Sequence, residues 1–191
     1  MLAVAAPTPP LAELDAATVR RAAAGEDAAA RALVECYQVR VFALVSRMLV
    51  GRARATLEDV AQDTFLHVFR KLGGFAAAGP AKLSTWILTI AARRAIDELR
   101  RARPKLVADI DPEDPGRAAD ERSTRRELVA AIERALATLS PPLRAAFLLR
   151  EYHGLDYADI ARALDIDLGT VKSRLARARA ELRVQLAEVR P

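Results

Sequence analysis

Lys172, Ser173, Ala176 and Arg177 lie one, three and four positions apart, a spacing that gathers them on one face of a helix. Their chemistry suits a nucleic acid. Lysine and arginine offer cations to phosphates or guanine edges, serine a hydroxyl, and alanine the room for a close approach. Such a set near the N-terminal end of a helix is what major-groove reading requires. Arg174, Arg179 and Arg183 flank the set and add salt-dependent affinity for the backbone. A solvated basic face on a packed helix is the competing reading, since a run of charge alone names no ligand.

A second basic group is made by Arg93, Asp97, Arg100 and Arg101, whose spacings of four and three put them on one side of another helix, where they can lie along a DNA backbone. Asp97 either orients the arginines or belongs to a plain intrahelical ion-pair network. Other chemistries find no residues. There is no phosphate-cradling glycine loop and no Cys/His cluster, and neither His67 nor His153 has a partner at metal-ligand spacing. Glu58 and Asp59 are adjacent on a helix, so their carboxylates diverge and form no acid/base pair. We therefore expect no enzyme, no metal and no cofactor.

The elements that must position these groups are helices. Alanine, leucine and arginine abound, glycine is scarce, and no segment alternates β-branched with polar residues, so an all-α fold is predicted. A short helix is expected around Leu11 to Ala24, and a longer one from Asp27 to Leu49 with Leu33, Tyr37, Val41, Leu44, Val45 and Met48 as its buried stripe. Thr56 with Asp59 reads as a capping box opening a helix that ends at Gly73 and Gly74. After a loop from Phe75 to Leu83, Ser84 is the expected N-cap of a helix over Thr85 to Ala102. Trp86 reads as core rather than as a stacking residue.

Further on, helices are expected over Ser123 to Thr138, from Ser140 and Pro141 through Tyr152, over Tyr157 to Leu164, and from Leu168 to about Val189. In the last pair Asp156 and Asp167 are the caps, Ile160, Leu164 and Ile166 point inward, and the small Ala161 permits a close crossing. Gly169 leaves room for another surface to approach. Val171, Leu175, Ala178 and Leu182 form the buried face opposite Lys172 and Arg177.

The formal charge of +5 suits a polyanion partner. Arginine and lysine concentrate at 93–105 and 172–183, whereas 109–121 is mostly acidic. The stretch from Pro104 to Glu121 has three prolines and one glycine, and reads as a linker. We expect a disordered tail over 1–12, a helical domain over 13–104, a flexible acidic linker over 105–122 and a second helical domain over 123–191. The single cysteine, Cys36, fits a core position. The first eleven residues lack the pattern of a signal peptide, and no segment is long and apolar enough to insert in a membrane. A cytoplasmic protein is expected.

Gly154-Leu-Asp-Tyr-Ala-Asp-Ile-Ala161, with Gly169-Thr-Val-Lys-Ser-Arg-Leu-Ala-Arg-Ala-Arg179, resembles region 4 of the bacterial extracytoplasmic-function sigma factors, members of the sigma-70 superfamily. LuxR-type regulators share much of that pattern. What separates the two families lies upstream: Leu57-Glu-Asp-Val-Ala-Gln-Asp-Thr-Phe-Leu66, Trp86-Ile-Leu-Thr-Ile-Ala91 and Ala95-Ile-Asp-Glu-Leu-Arg-Arg101 resemble region 2 of the same sigma factors.

The resemblance implies a division of labour. Region 2 binds the β′ coiled coil of core RNA polymerase and melts the minus-10 element, region 4 reads the minus-35 element, the β subunit is a further contact, and an anti-sigma factor controls the whole. Carried onto this chain, Asp59, Gln62, Asp63 and Leu66 form the mixed polar and apolar strip that docks polymerase. Phe75, Lys82, Ser84, Arg93, Asp97, Arg100 and Arg101 face minus-10 DNA, where a base is extruded into a pocket beside the loop. Arg93 stands where the family commonly has asparagine. Lys172, Ser173, Arg174, Ala176, Arg177 and Arg179 face minus-35 DNA. Two other functions remain open: a LuxR-type regulator binding duplex sites unaided, and a helical adaptor whose basic helices bind acidic proteins.

Overall fold

In the computed structural model the residues described are 13–75, 82–101 and 119–187, with the backbone alone for 119–126. The expected tail, the loop over 76–81 and the linker up to residue 118 lie outside them. The described residues contain helices and no strand.

Helix α1 (Ala16–Ala23) starts at Asp15, whose Oδ1 accepts the Thr18 N–H at 2.9 Å. The Thr18 hydroxyl donates to the same carboxylate at 2.7 Å, and this bond first, then the backbone one, holds the Asp15 carboxyl below its ordinary range. Gly25, at φ +87°, turns the chain into α2 (Asp27–Met48). The stripe expected on α2 is buried along its whole length, from Leu33 and Tyr37 to Val45 and Met48.

The N-termini of the next two helices depart from expectation. Helix α3 (Arg54–Leu72) begins two residues ahead of Thr56, with Ala53 at the N-cap position and no side-chain cap; Thr56 lies in the first turn, its N–H bonded to the Ala53 carbonyl at 2.9 Å. Helix α4 (Leu83–Arg101) already contains Ser84. Its cap comes from Glu13, seventy-one positions away, which accepts the Ser84 N–H at 3.2 Å and also the Ser84 hydroxyl. The same carboxylate accepts the Tyr37 hydroxyl at 3.1 Å. A glutamate brought in by tertiary folding thus does what a neighbouring serine was expected to do.

The second bundle begins with α5 (Ala119–Thr138), four residues ahead of the expected Ser123. Helix α6 (Pro141–Phe147) has Pro141 in its first turn and passes into a π turn, Leu148–Tyr152, in which the His153 N–H reaches back five residues to the Leu148 carbonyl. Gly154, at φ +71°, ends it. Helices α7 (Tyr157–Leu164) and α8 (Leu168–Ala187) follow.

The two bundles are packed together. Helix α4 lies against α6 and α7, and α2 against α6 and the π turn, so one apolar cluster runs from Val19 and Leu33 through Ile87 and Ala95 to Leu149, Ile160 and Leu182. Arg144 pins this junction from inside. It is 5% exposed and donates to the Met48 carbonyl at 2.6 Å and to those of Ala137 and Leu139 at 2.8 and 3.1 Å.

Candidate nucleic-acid interface

The reader is built by two caps and one tight turn. Asp156 accepts the Asp159 N–H at 2.6 Å to open α7, and Ile160 and Ala163 point into the core. Ala163, rather than Ala161, is the fully buried small residue. Asp165 then adopts the left-handed conformation, φ 54°, and its N–H returns to the Ala161 carbonyl. Two residues later Asp167 opens α8, accepting the Thr170 N–H at 2.7 Å and the Thr170 hydroxyl at 2.6 Å. Those two bonds, the hydroxyl's first, hold the Asp167 carboxyl below its usual range. A Cβ on Gly169 would come within 3.0 Å of Asp167 Oδ1. The glycine therefore clears space for its own cap, not for an approaching surface.

On α8 the predicted core face is buried at every position, Val171, Leu175, Ala178 and Leu182. Lys172, Ser173, Ala176 and Arg177 are exposed on the side away from it, and Arg174 is half-buried. The Ser173 hydroxyl donates to the Thr170 carbonyl at 3.0 Å, which leaves its lone pairs as the outward function. Arg179 is braced rather than free: Glu151 of the π turn accepts from its Nε at 3.2 Å and from its Nη2 at 2.5 Å, and this bond raises the guanidinium pKa. Arg150, from the same turn, donates to the Leu155 carbonyl at 2.8 Å and lies 5.1 Å over the Tyr157 ring. These braces, which pattern did not reveal, fix α7 and α8 against the π turn.

The residues assigned to minus-10 DNA are scattered. Phe75 packs against Trp86 with ring centroids 5.1 Å apart, so the half-buried tryptophan is tied both to the core and to the loop. Lys82 is exposed just ahead of α4. Ser84 is buried and spent on Glu13, so its assignment to a DNA pocket is corrected: that hydroxyl does not reach the surface. Arg93 reaches across to the second bundle, its Nε donating to the Ala163 carbonyl at 2.8 Å and its Nη2 to that of Arg162 at 3.3 Å. Asp97 is half-buried and 3.9 Å from Arg100, a loose exposed pair of small energetic value. Arg100 and Arg101 are open to solvent. Beside them the Arg94 Nη2 lies 2.8 Å from His67 Nδ1; the half-buried His67 is held below its ordinary pKa by burial first, then by Arg94.

On α3, Asp59, Gln62, Asp63 and Leu66 are all exposed. Of the four, Gln62 lines a groove of about 630 Å³ between α2 and α3, together with Val34, Val39, Phe42, Ala61 and Phe65. Val39 is 70% and Leu66 44% exposed. The strip named from pattern shares only Gln62 with this groove; the α2 wall was hidden because Val39 falls outside that helix's core stripe. Among the described residues, no cluster of His, Cys, Asp or Glu could hold a metal, and no helix is long and apolar enough to cross a membrane.

Two family models match this chain: Sigma-70 region 2 over residues 33–105 and Sigma-70 region 4 over residues 130–182. The chain is 32% identical over 179 residues to the RNA polymerase sigma-H factor of Pseudomonas aeruginosa, covering 87% of this chain and 91% of the relative. It is 34% identical over 177 residues to the ECF RNA polymerase sigma-E factor of Escherichia coli, covering 86% and 90%. Its fold is that of CnrH, solved with the cytosolic domain of CnrY, at a TM-score of 0.67 and 24% identity over 90% of this chain and 96% of that one. The region 2 match favours a sigma factor over a LuxR-type regulator. With both regions matched in order, and relatives matched over nearly their whole length, the chain belongs to the extracytoplasmic-function sigma factors, which direct RNA polymerase to promoters.

Proposed function

We propose that the three surfaces divide the work of initiation. The α3 strip of Asp59, Gln62, Asp63 and Leu66, with the groove beside it, docks the β′ coiled coil of core polymerase. The end of α4, through Arg93, Asp97, Arg100 and Arg101, and the approach to it at Phe75 and Lys82, contact the minus-10 element. Helix α8 reads the minus-35 element through Lys172, Ser173, Arg174, Ala176 and Arg177, with Arg179 holding the helix in place and region 4 seated on the β subunit. The domains act as region 2 over 13–104 and region 4 over 123–191, joined by an acidic linker. The chain works in the cytoplasm, lends polymerase its promoter preference without catalysing a reaction, and is held in check by an anti-sigma factor.

The observation that carries this reading is the split of α8: four buried residues on one side, and a lysine, a serine, an alanine and an arginine exposed on the other. The test is run-off transcription with core polymerase on genomic promoter fragments. Wild type should yield discrete transcripts that core alone does not make, and Lys172→Ala or Arg177→Ala should weaken them while the free fold is unchanged. Promoter selectivity that is the same in both variants as in wild type would overturn the assignment of α8.

A further inference from the structure

The two carbonyls that Arg93 engages belong to the last turn of α7, where Arg162 and Ala163 have no following helical N–H to accept. Asp165 and Ile166 both turn their N–H groups back to Ala161 instead. The oxygens of Arg162 and Ala163 therefore sit at the negative end of a helix, where the guanidinium is the protein donor that reaches them. To an arginine, such a pair of oxygens resembles the pair on a phosphate. One guanidinium cannot serve both at once.

We propose that Arg93 is a latch: in the free chain it clamps α7 of the promoter reader onto α4, closing the molecule over its own minus-10 helix, and it is released only when a competitor takes α4. This rests on the assignment of α4 to minus-10 DNA made above. Closure is one-sided. The α4 face is engaged by α7, whereas Lys172, Ser173, Ala176 and Arg177 on α8 stay exposed. Duplex minus-35 DNA can therefore reach the closed chain without opening it, and opening falls to a partner that displaces α7.

The latch lies at the exposed rim of a junction whose interior is apolar, with Arg144 inside it and Arg47 4.1 Å over the Tyr152 ring at its other edge. An exposed pair of charge-assisted bonds adds little to folding but shifts a balance between open and closed forms by about tenfold. Asparagine is too short and carries no charge, so it cannot make the same clamp.

The experiment is energy transfer within the full-length chain, in a Cys36→Ser background with dyes on Arg70→Cys and Glu181→Cys, two exposed positions on α3 and α8. Wild type should show one high-transfer population. Arg93→Ala should raise the low-transfer fraction about tenfold, with helix content unchanged. Arg162→Ala should behave as wild type, because the latch holds that residue's carbonyl and not its side chain. If Arg93→Ala loses helix content, Arg93→Lys, which keeps the charge but not the fork, should still raise the open fraction. Equal transfer in wild type and both Arg93 variants overturns the latch, as does a wild type that is already open. Run-off transcription by the labelled wild type reports separately on the assignment of function: transcripts with unchanged transfer sink the latch alone, and absent transcripts sink that assignment.

Discussion

Arg144 Nη1 donates to the carbonyl of Met48 at 2.6 Å, across ninety-six positions of chain, so the last turn of α2 and the first of α6 share one buried charge. Burial lowers the pKa of this guanidinium, yet arginine stays charged. It is compensated by three carbonyl oxygens in place of a carboxylate.

Arg144→Ala leaves those carbonyls buried without their donor and opens a cavity. We expect a loss of about 3 kcal/mol in urea unfolding, with Arg144→Lys recovering only part because it lacks the planar fork. A loss below about 1 kcal/mol would contradict the role given to this residue.

His153, 8% exposed, has neither ring nitrogen hydrogen-bonded. Burial first, then Arg40 and Arg47, push its pKa from 6.5 down to about 3. The folded chain thus excludes a proton that the unfolded chain accepts, so the contribution is complete above pH 6.5 and is lost progressively as the pH falls toward 3. Near pH 5 the deficit is about 2 kcal/mol. Urea titrations at about pH 7.5 and pH 5 should differ by that amount in wild type and by clearly less in His153→Leu; equal differences would refute it.

Asp165 holds φ 54° between α7 and α8. A β-branched residue cannot adopt this conformation cheaply, so Asp165→Val should cost about 1–2 kcal/mol, whereas Asp165→Gly should be close to neutral. Thermal melts of the two variants decide the matter, and a Val variant as stable as the Gly variant would speak against the turn.

Lys172 and Arg177 are exposed and should act on binding alone. For the polymerase holoenzyme on a minus-35 duplex, removing a phosphate contact should lower the slope of log K against log salt by about one. A contact to a base edge should instead relax preference at one position. A variant with wild-type slope and wild-type preference would show that its residue touches no DNA.

Gln62→Ala and Asp63→Ala lie on an exposed strip, so neither should alter urea unfolding by more than about 0.5 kcal/mol. Each should weaken capture of core polymerase by about tenfold if the strip lies near the centre of that interface. Full retention of both variants in a pull-down would remove α3 from the docking surface.

Much of this was legible locally. Spacing along α8 placed Val171, Leu175, Ala178 and Leu182 inside and Lys172 and Arg177 outside, because a helix of fixed period leaves no other arrangement. Asp156 and Asp167 were recognisable as caps because their partners lie three residues on. The groove beside α3 was half legible, since Val39 gains its meaning only from Phe65 across the gap.

What lay beyond reach has one cause in common: the deciding partner is distant in sequence. Ser84 reads locally as a cap and is instead capped by Glu13; Arg93 reads as a DNA contact and is engaged by the end of α7; Arg144, to which local pattern gave no role, is the buried pin between bundles. Periodicity and capping act over about one helical turn, so the sequence alone determines the helices, their inward faces and the family. Which polar groups stay free for DNA is settled only when packing brings distant donors and acceptors together, because a buried polar group takes whatever partner the fold delivers.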